Sequence, residues 1–308
     1  MTATGPPPAG PPSAGAGPHV VALGGGHGLA TTLRAVRSYA GRVTAVVSVA
    51  DDGGSSGRLR QIAGIPAPGD LRLCLVATAA EDSIWARAFE YRFPSGDLEG
   101  HALGNLLIAG LANVTGDFGY ALDLAAGLVG AVARVLPATS IPVVLKADVA
   151  GTEVVGQVNV SESPGAISSV SIVPPDAPVP PEVLVALEEA DQVVIGPGSL
   201  FTSVLAVGAV PEIRAALAKR AGGRVYVCNL RPQQPETSGF TPEDHLRAVL
   251  AHGVPVDTMV VGCPPEPPEP PDPLATLLGV RVVVARLARP DGSGHDPERL
   301  ASVLGYLA

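Results

Sequence analysis

Glycines, acids and hydroxyls gather in a few loops of this 308-residue chain, and their order points to the binding of a phosphate-bearing ligand. Val20-Val21-Ala22-Leu23 runs into Gly24-Gly25-Gly26-His27-Gly28 and then a helical stretch. Glycines let backbone approach a ligand closely, and a helix start offers unpaired N–H groups at the positive end of its dipole. That combination is an anion site, and a plain βα turn would need fewer glycines. The loop is neither GxGxxG, because Leu29 takes the third glycine position, nor Walker A, because no GK[ST] follows.

A second loop, Ala50-Asp51-Asp52-Gly53-Gly54-Ser55-Ser56-Gly57-Arg58, ends the next β-branched run. Ligands of open α/β sheets bind outside the carboxyl ends of strands, so Asp51 and Asp52 should both face the first glycine loop. Asp51 lies 23 residues after Gly28, where a dinucleotide fold keeps its ribose-binding acid. Alternatively the two acids hold Mg²⁺ beside a diphosphate, since that cation prefers carboxylate oxygens. The plainer alternative is a solvated turn whose Asp and Ser cap the following helix. Gly53–Gly57 also satisfies GxSxG, but a nucleophile elbow needs its serine directly on the strand-to-helix turn. No serine hydrolase is expected.

Pro66-Ala67-Pro68-Gly69-Asp70-Leu71-Arg72 precedes another helix, with Asp70 as its natural cap and Arg72 as either a phosphate partner or a surface ion pair. His101 and Asn105 stand four apart on one helix face, suited to a ligand hydroxyl or phosphate, or to ordinary packing. Val193-Val194-Ile195 then repeats the first arrangement, running into Gly196-Pro197-Gly198-Ser199 and a helix that adds Thr202 and Ser203. Asn229 follows a further strand and can reach the same crevice, whereas Cys228 reads as a small buried residue. Two strand–glycine–helix loops and a diacidic loop together favour a nucleotide diphosphate.

Composition narrows the classes. Twenty basic residues against 29 acidic ones give a net charge of −9, so a global footprint for nucleic acid is absent. Only Lys146 and Lys219 are lysines, so phosphate must be met by arginine or by backbone N–H groups. Cys74, Cys228 and Cys263 lack metal-ligand spacing, which predicts a reducing cytoplasm rather than a disulfide scaffold. Residues 1–18 are rich in Pro, Gly and Ala and predict a disordered tail without the marks of a signal peptide. Pro264–Pro273 predicts an extended strap, a spacer or an SH3-type ligand. No apolar run suits membrane insertion.

These loops need a scaffold, and the hydropathy pattern supplies one. His19–Leu23, Val43–Val49, Gln192–Ile195, Arg224–Cys228 and Val256–Val261 read as buried strands, and Val280–Arg286 as another. Helices are expected over Leu29–Tyr39, Leu71–Ala80, Ile84–Tyr91, Leu103–Val114, Tyr120–Ala133, Glu182–Ala190, Ser199–Val207, Glu212–Ala221, Pro242–His252 and Pro297–Tyr306. Their alternation argues a doubly wound, mainly parallel α/β sheet within a single domain over residues 19–308. Residues 141–173 alternate apolar and polar side chains through IPVVLKADVAG, TEVVGQVNV and ISSVSIV, the pattern of a small antiparallel insert.

Taken in order, GGGHGL, VADDGGSSGRLR, PAPGDLR, EYRF, GHALGNLL, GPGSLFTS, CNL…ET and HDPERL resemble the YvcK-type gluconeogenesis factors of the CofD-like, or 2-phospho-L-lactate transferase-like, superfamily. The resemblance covers residues 19–308 and implies a Rossmann-like fold. It further implies a cytoplasmic, homodimeric regulator that binds UDP-sugars such as UDP-N-acetylglucosamine or UDP-glucose. Its implied role is in morphogenesis and cell-wall precursor supply on gluconeogenic carbon sources, with a cell-wall regulatory protein as partner. The implied binding residues are Gly25, Gly26, His27, Gly28, Asp51, Asp52, Ser55, Ser56, Arg58, Gly69, Asp70, Arg72, His101, Asn105, Gly196, Gly198, Ser199 and Asn229.

This chain departs from the family pattern at Leu73, Phe201, Ala206–Gly208 and the prolines of Arg231–Thr237, which bear on sugar or base selectivity, and at His27, which replaces a hydroxyl residue and so weakens a hydroxyl-to-phosphate contact there. The alternatives are a Mg²⁺-dependent phosphotransferase of the phospholactate type, in which Asp51 and Asp52 hold the ion, and an NAD-binding protein.

Overall fold

A computed structural model describes residues 16–80, 82–263 and 276–308. The strap lies outside the described residues, as does the tail but for its last three positions. In chain order the first half comprises β1 (His19–Gly24), α1 (Gly26–Val36), β2 (Arg42–Val47), α2 (Gly54–Ala63), α3 (Gly69–Ala77), α4 (Ile84–Glu90), α5 (Leu103–Thr115), α6 (Phe118–Val129) and β3 (Arg134–Pro137). The insert follows as β4 (Val144–Val149), β5 (Thr152–Val155), α7 (Gln157–Glu162) and β6 (Ile167–Val173). Next are α8 (Pro181–Glu189), β7 (Gln192–Ile195), a π-turn (Leu200–Val204), α9 (Leu205–Gly208), α10 (Pro211–Lys219) and β8 (Arg224–Val227). The described chain closes with α11 (Pro242–Ala251), β9 (Thr258–Gly262), β10 (Thr276–Leu277), β11 (Val280–Ala285) and α12 (Pro297–Tyr306).

Eight strands form one sheet in the order β10-β11-β9-β8-β7-β1-β2-β3, parallel throughout except for the β10–β11 hairpin. β1 lies between β2 and β7 and is buried along its whole length, which is why it reads as an unbroken apolar run. Helices cover the faces: Leu29, Leu33 and Val36 of α1 are fully buried, each burial contributing roughly 1.5–3 kcal/mol. The strand order reverses at β1, so the loops after β1 and β7 diverge to open a crevice at the carboxyl ends.

Sequence expectation and structure part company at three elements. The helix expected through Ala133 ends at Val129, where Gly130 takes a left-handed cap (φ 69°), and a short turn then leads into β3 beside β2. Within the insert, β4 pairs antiparallel with β5 and β6, but Gln157-Val158-Asn159-Val160 coils into α7 instead of continuing a strand. Gly156 at φ 100° makes the break, and a carboxylate 105 residues upstream holds the new helix. Finally, the Gly- and Ser-rich segment after Asp52 is helical from Gly54, because Leu59 packs with Ile65, Ala109, Ala112 and Ala121.

Candidate functional site

The α1 start, the Asp51 loop and the loop after β7 converge on one cleft of about 320 Å³ at the crevice. It is lined by Gly25, Gly26, His27, Gly28, Ser48, Asp51, Asp70, Gln157, Gly198, Ser199, Thr202, Ser203 and Gln233. The two glycine loops touch backbone to backbone: a Cβ on Gly28 would overlap the Pro197 carbonyl. Gly26 sits at φ 59°, a left-handed conformation glycine adopts without strain. The first intrahelical bond of α1 is Leu29 N–H to the Gly25 carbonyl, so the His27 and Gly28 amides are left without a partner inside the helix, while the Gly26 N–H meets Asp70.

Among the described residues no lysine or arginine lines this cleft. Its positive character comes from peptide N–H groups at the α1 start, and its negative character from Asp51 and Asp70. Asp51 accepts from Gly53 N–H at 2.9 Å. Asp70 enters from the first turn of α3 and occupies the space a Gly25 side chain would need. Burial raises the Asp70 carboxyl to about 7, the Asp51 charge adds to the rise, and the Gly26 N–H and Arg72 oppose it. Two acids lining one cleft could serve a hard cation that takes its other ligands from phosphate and water. No cluster of three or more His, Cys, Asp or Glu suits a metal among the described residues, so such an ion would depend on its ligand's oxygens.

Asp52 does not share this place. Its carboxylate accepts from Gln157 N–H and Val158 N–H, both at 3.0 Å, and so caps α7. The acid that lines the cleft with Asp51 is therefore Asp70, and the Asp52 carboxylate expected beside Asp51 is engaged by α7 instead.

Ser55, Arg72, His101 and Asn105 are brought together, but behind the cleft rather than in its lining. Asn105 Nδ2 donates to Ser55 Oγ at 3.1 Å, Ser55 Oγ meets His101 Nδ1 at 3.0 Å, and Arg72 Nε donates to Asn105 Oδ1 at 3.1 Å. All four are buried, and together they tie α2, α3 and α5. Desolvation and the nearby Arg58 charge lower the His101 pKa. No carboxylate orients that ring among the described residues, so Ser55 gains a histidine partner without becoming a triad nucleophile. Ser56 lies against Gly69, where a Cβ would overlap its Oγ. Arg58 is exposed and donates to the Glu99 carbonyl at 2.8 Å.

The loop after β7 is held by side chains from beyond β8. Asn229 accepts from Gly198 N–H at 3.0 Å and donates to the Gly198 carbonyl at 2.8 Å, clamping that peptide on both sides. Asn229 thus shapes the cleft from behind, and its neighbour Gln233, to which it also donates, lines it. The π-turn, where Val204 N–H reaches the Ser199 carbonyl, is capped by buried Glu236. That carboxylate accepts from Phe201 N–H at 2.6 Å and Thr202 N–H at 3.0 Å, and burial pushes its pKa up. Gly196 adopts φ 70°, and its carbonyl accepts from Thr32 Oγ1 of α1 at 3.0 Å, joining the two loops.

Sequence reasoning passed over Ser48, Gln157 and Gln233. Ser48 stands just past β2, a strand-end position that marks it. Gln233 follows Asn229 by one helical turn's spacing. Gln157 carries no local signal, because only the fold brings the insert to the crevice.

The family model described as 2-phospho-L-lactate transferase CofD matches residues 20–269. A Mycobacterium tuberculosis protein named "Putative gluconeogenesis factor" is 42% identical over 303 residues, 92% of this chain and 89% of its own. A Halalkalibacterium halodurans protein named "Gluconeogenesis factor" is 41% identical over 80% of this chain and 78% of its own. The crystal structure of a UPF0052 family protein from Bacillus halodurans superposes with a TM-score of 0.86 at 34% identity, covering 94% of this chain and 98% of that one.

Proposed function

Because this chain belongs to the 2-phospho-L-lactate transferase CofD family, we propose that its cleft binds a UDP-sugar and that the protein acts through that binding, as a gluconeogenesis factor. The observation that carries this reading is the meeting of two glycine loops where the strand order reverses. Peptide amides at the start of α1 present themselves to a diphosphate there, with Ser199, Thr202 and Ser203 hydroxyls beside them.

Charge balance adds a requirement. A diphosphate entering a cleft with two acids and, among the described residues, no basic side chain other than His27 meets repulsion unless a divalent cation or a proton intervenes. Asp51 and Asp70 would hold Mg²⁺, which would neutralise the diphosphate and bridge it to the protein. The resemblance to gluconeogenesis factors supports a cytoplasmic regulator of cell-wall supply and morphogenesis, acting as a homodimer on a regulatory protein partner. Among the described residues no single helix is long and apolar enough to cross a membrane.

The facing Asp51 and Asp70 also favour a second reading, transfer of a phosphorus-linked group. In that case the amides at the α1 start would steady developing charge on the migrating group, and His27 would face it. Calorimetric titration with UDP-N-acetylglucosamine, UDP-glucose, NAD and GTP, with and without Mg²⁺, decides between these. UDP-sugar binding without turnover is the expected result. Mg²⁺-dependent transfer to a deazaflavin alcohol would establish the second reading, and preference for NAD would overturn both.

A further inference from the structure

The antiparallel insert is fastened across the crevice at several points, none of which its own sequence announces. Asp52 takes both leading amides of α7, at 3.0 Å each. A Cβ on Gly156 would lie 2.7 Å from Asp52 Oδ2, and one on Gly53 would lie 3.0 Å from Val158 Cγ2, so the two loops approach to the limit glycine allows. α7 also packs against the π-turn, spanning from the loop after β2 to the loop after β7. At the far side of the insert, Val170 N–H donates to His252 Nε2 at 3.2 Å, which leaves His252 Nδ1 to donate to the Ala248 carbonyl at 2.7 Å. Through α7 the insert contributes Gln157, half-buried, to the lining of the same cleft as Asp51 and the α1 start.

We propose that Gln157 is a specificity-determining residue, reading the neutral hydroxyl-bearing group attached to the diphosphate, and that Asp52 is the positioning residue that holds it over the cleft. The inference rests on the diphosphate reading above. An uncharged carboxamide adds nothing to phosphate binding that the peptide amides do not already supply. It both donates and accepts, which matches sugar hydroxyls. Ser48, buried at the end of β2, lines the same cleft with a hydroxyl of the same chemistry. Asp52 is not itself part of the cleft lining and its carboxylate meets that lining at the Gln157 amide, so it acts through α7.

The test compares wild type with Q157A and D52N by calorimetric titration with UDP-glucose and with inorganic pyrophosphate, both in Mg²⁺, and by hydrogen exchange across residues 157–162. Loss of one or two neutral hydrogen bonds should weaken UDP-glucose about five- to tenfold in Q157A while pyrophosphate shifts less than about twofold. D52N should reproduce that loss of discrimination and speed exchange at Gln157 and Val158, with β1 and β2 amides unchanged. An unaltered ratio of the two affinities in Q157A overturns the role of Gln157. Unaltered exchange in D52N overturns the clamp. Should wild type bind neither probe, the diphosphate reading fails and the Gln157 role with it, and the exchange data alone then judge the clamp. Wild type binding pyrophosphate but not UDP-glucose would refute the Gln157 role while sparing the anion site.

Discussion

Asp70→Asn removes one charge from the cleft at almost constant shape, and its effect on stability depends on pH in a direction the structure dictates. The Asp70 carboxyl rises from its ordinary 3.8 to about 7, chiefly through burial and then through Asp51. A folded value above the unfolded one means the native state is favoured most below about pH 4 and loses that advantage as pH climbs through about 7. This is the reverse of an ion-paired acid. Each pH unit is worth about 1.4 kcal/mol. The interval from 3.8 to about 7 therefore caps the cost of the ionised carboxylate at about 4 kcal/mol. Asparagine keeps an oxygen for the Gly26 N–H and carries no charge. Urea unfolding at pH 8 should find the variant more stable than wild type by roughly 1–4 kcal/mol, with the gain vanishing near pH 4. Millimolar Mg²⁺ should stabilise wild type at pH 8 and leave the variant unmoved. A variant less stable than wild type at pH 8, or an equal gain at both pH values, refutes the electrostatic reasoning.

Other substitutions probe the scaffold of the same cleft. Gly28→Ala drives a methyl group into the Pro197 carbonyl, so the glycine loops must part; a loss of about 1–3 kcal/mol in thermal unfolding is expected, with UDP-sugar binding abolished in calorimetry. Asn229→Ala leaves the Gly198 peptide without its clamp and should lower UDP-sugar affinity about tenfold, with stability falling by about 1–3 kcal/mol in denaturant. Glu236→Ala strands the buried Phe201 and Thr202 N–H groups at a cost of about 2–3 kcal/mol, and Glu236→Gln, which retains one acceptor, should recover part of it in the same unfolding assay.

Most of the sheet was legible because its strands are buried on both faces and carry unbroken β-branched runs. Gln192–Ile195 and α12 (Pro297–Tyr306) match expectation residue for residue. Each is bounded by a local signal, glycine after the strand and Asp296 with a proline at the start of the helix. The two glycine loops were legible for the same reason, since close backbone approach demands glycine whatever else surrounds it. α2 and α7 were not, because Gly-Ser-Ser-Gly and Gln-Val-Asn-Val have no helical preference of their own. α2 is helical through the packing of Leu59, and α7 through the carboxylate of Asp52.

The diacidic loop divides along the same line. Sequence alone established that an acid follows β2 and that a glycine loop precedes α1, because residue type and strand-end position are local facts. Which acid faces the cleft was decided only in three dimensions. A carboxylate goes to the donors that reach it, and the insert brings two N–H groups to Asp52 while α3 brings Asp70 to Asp51. Likewise Arg72, His101 and Asn105 announced polar chemistry by type, yet the packing of α2, α3 and α5 spends that chemistry on one another. Contacts between segments 19 to 106 residues apart depend on how the chain is wound, and no spacing rule within a single segment encodes them.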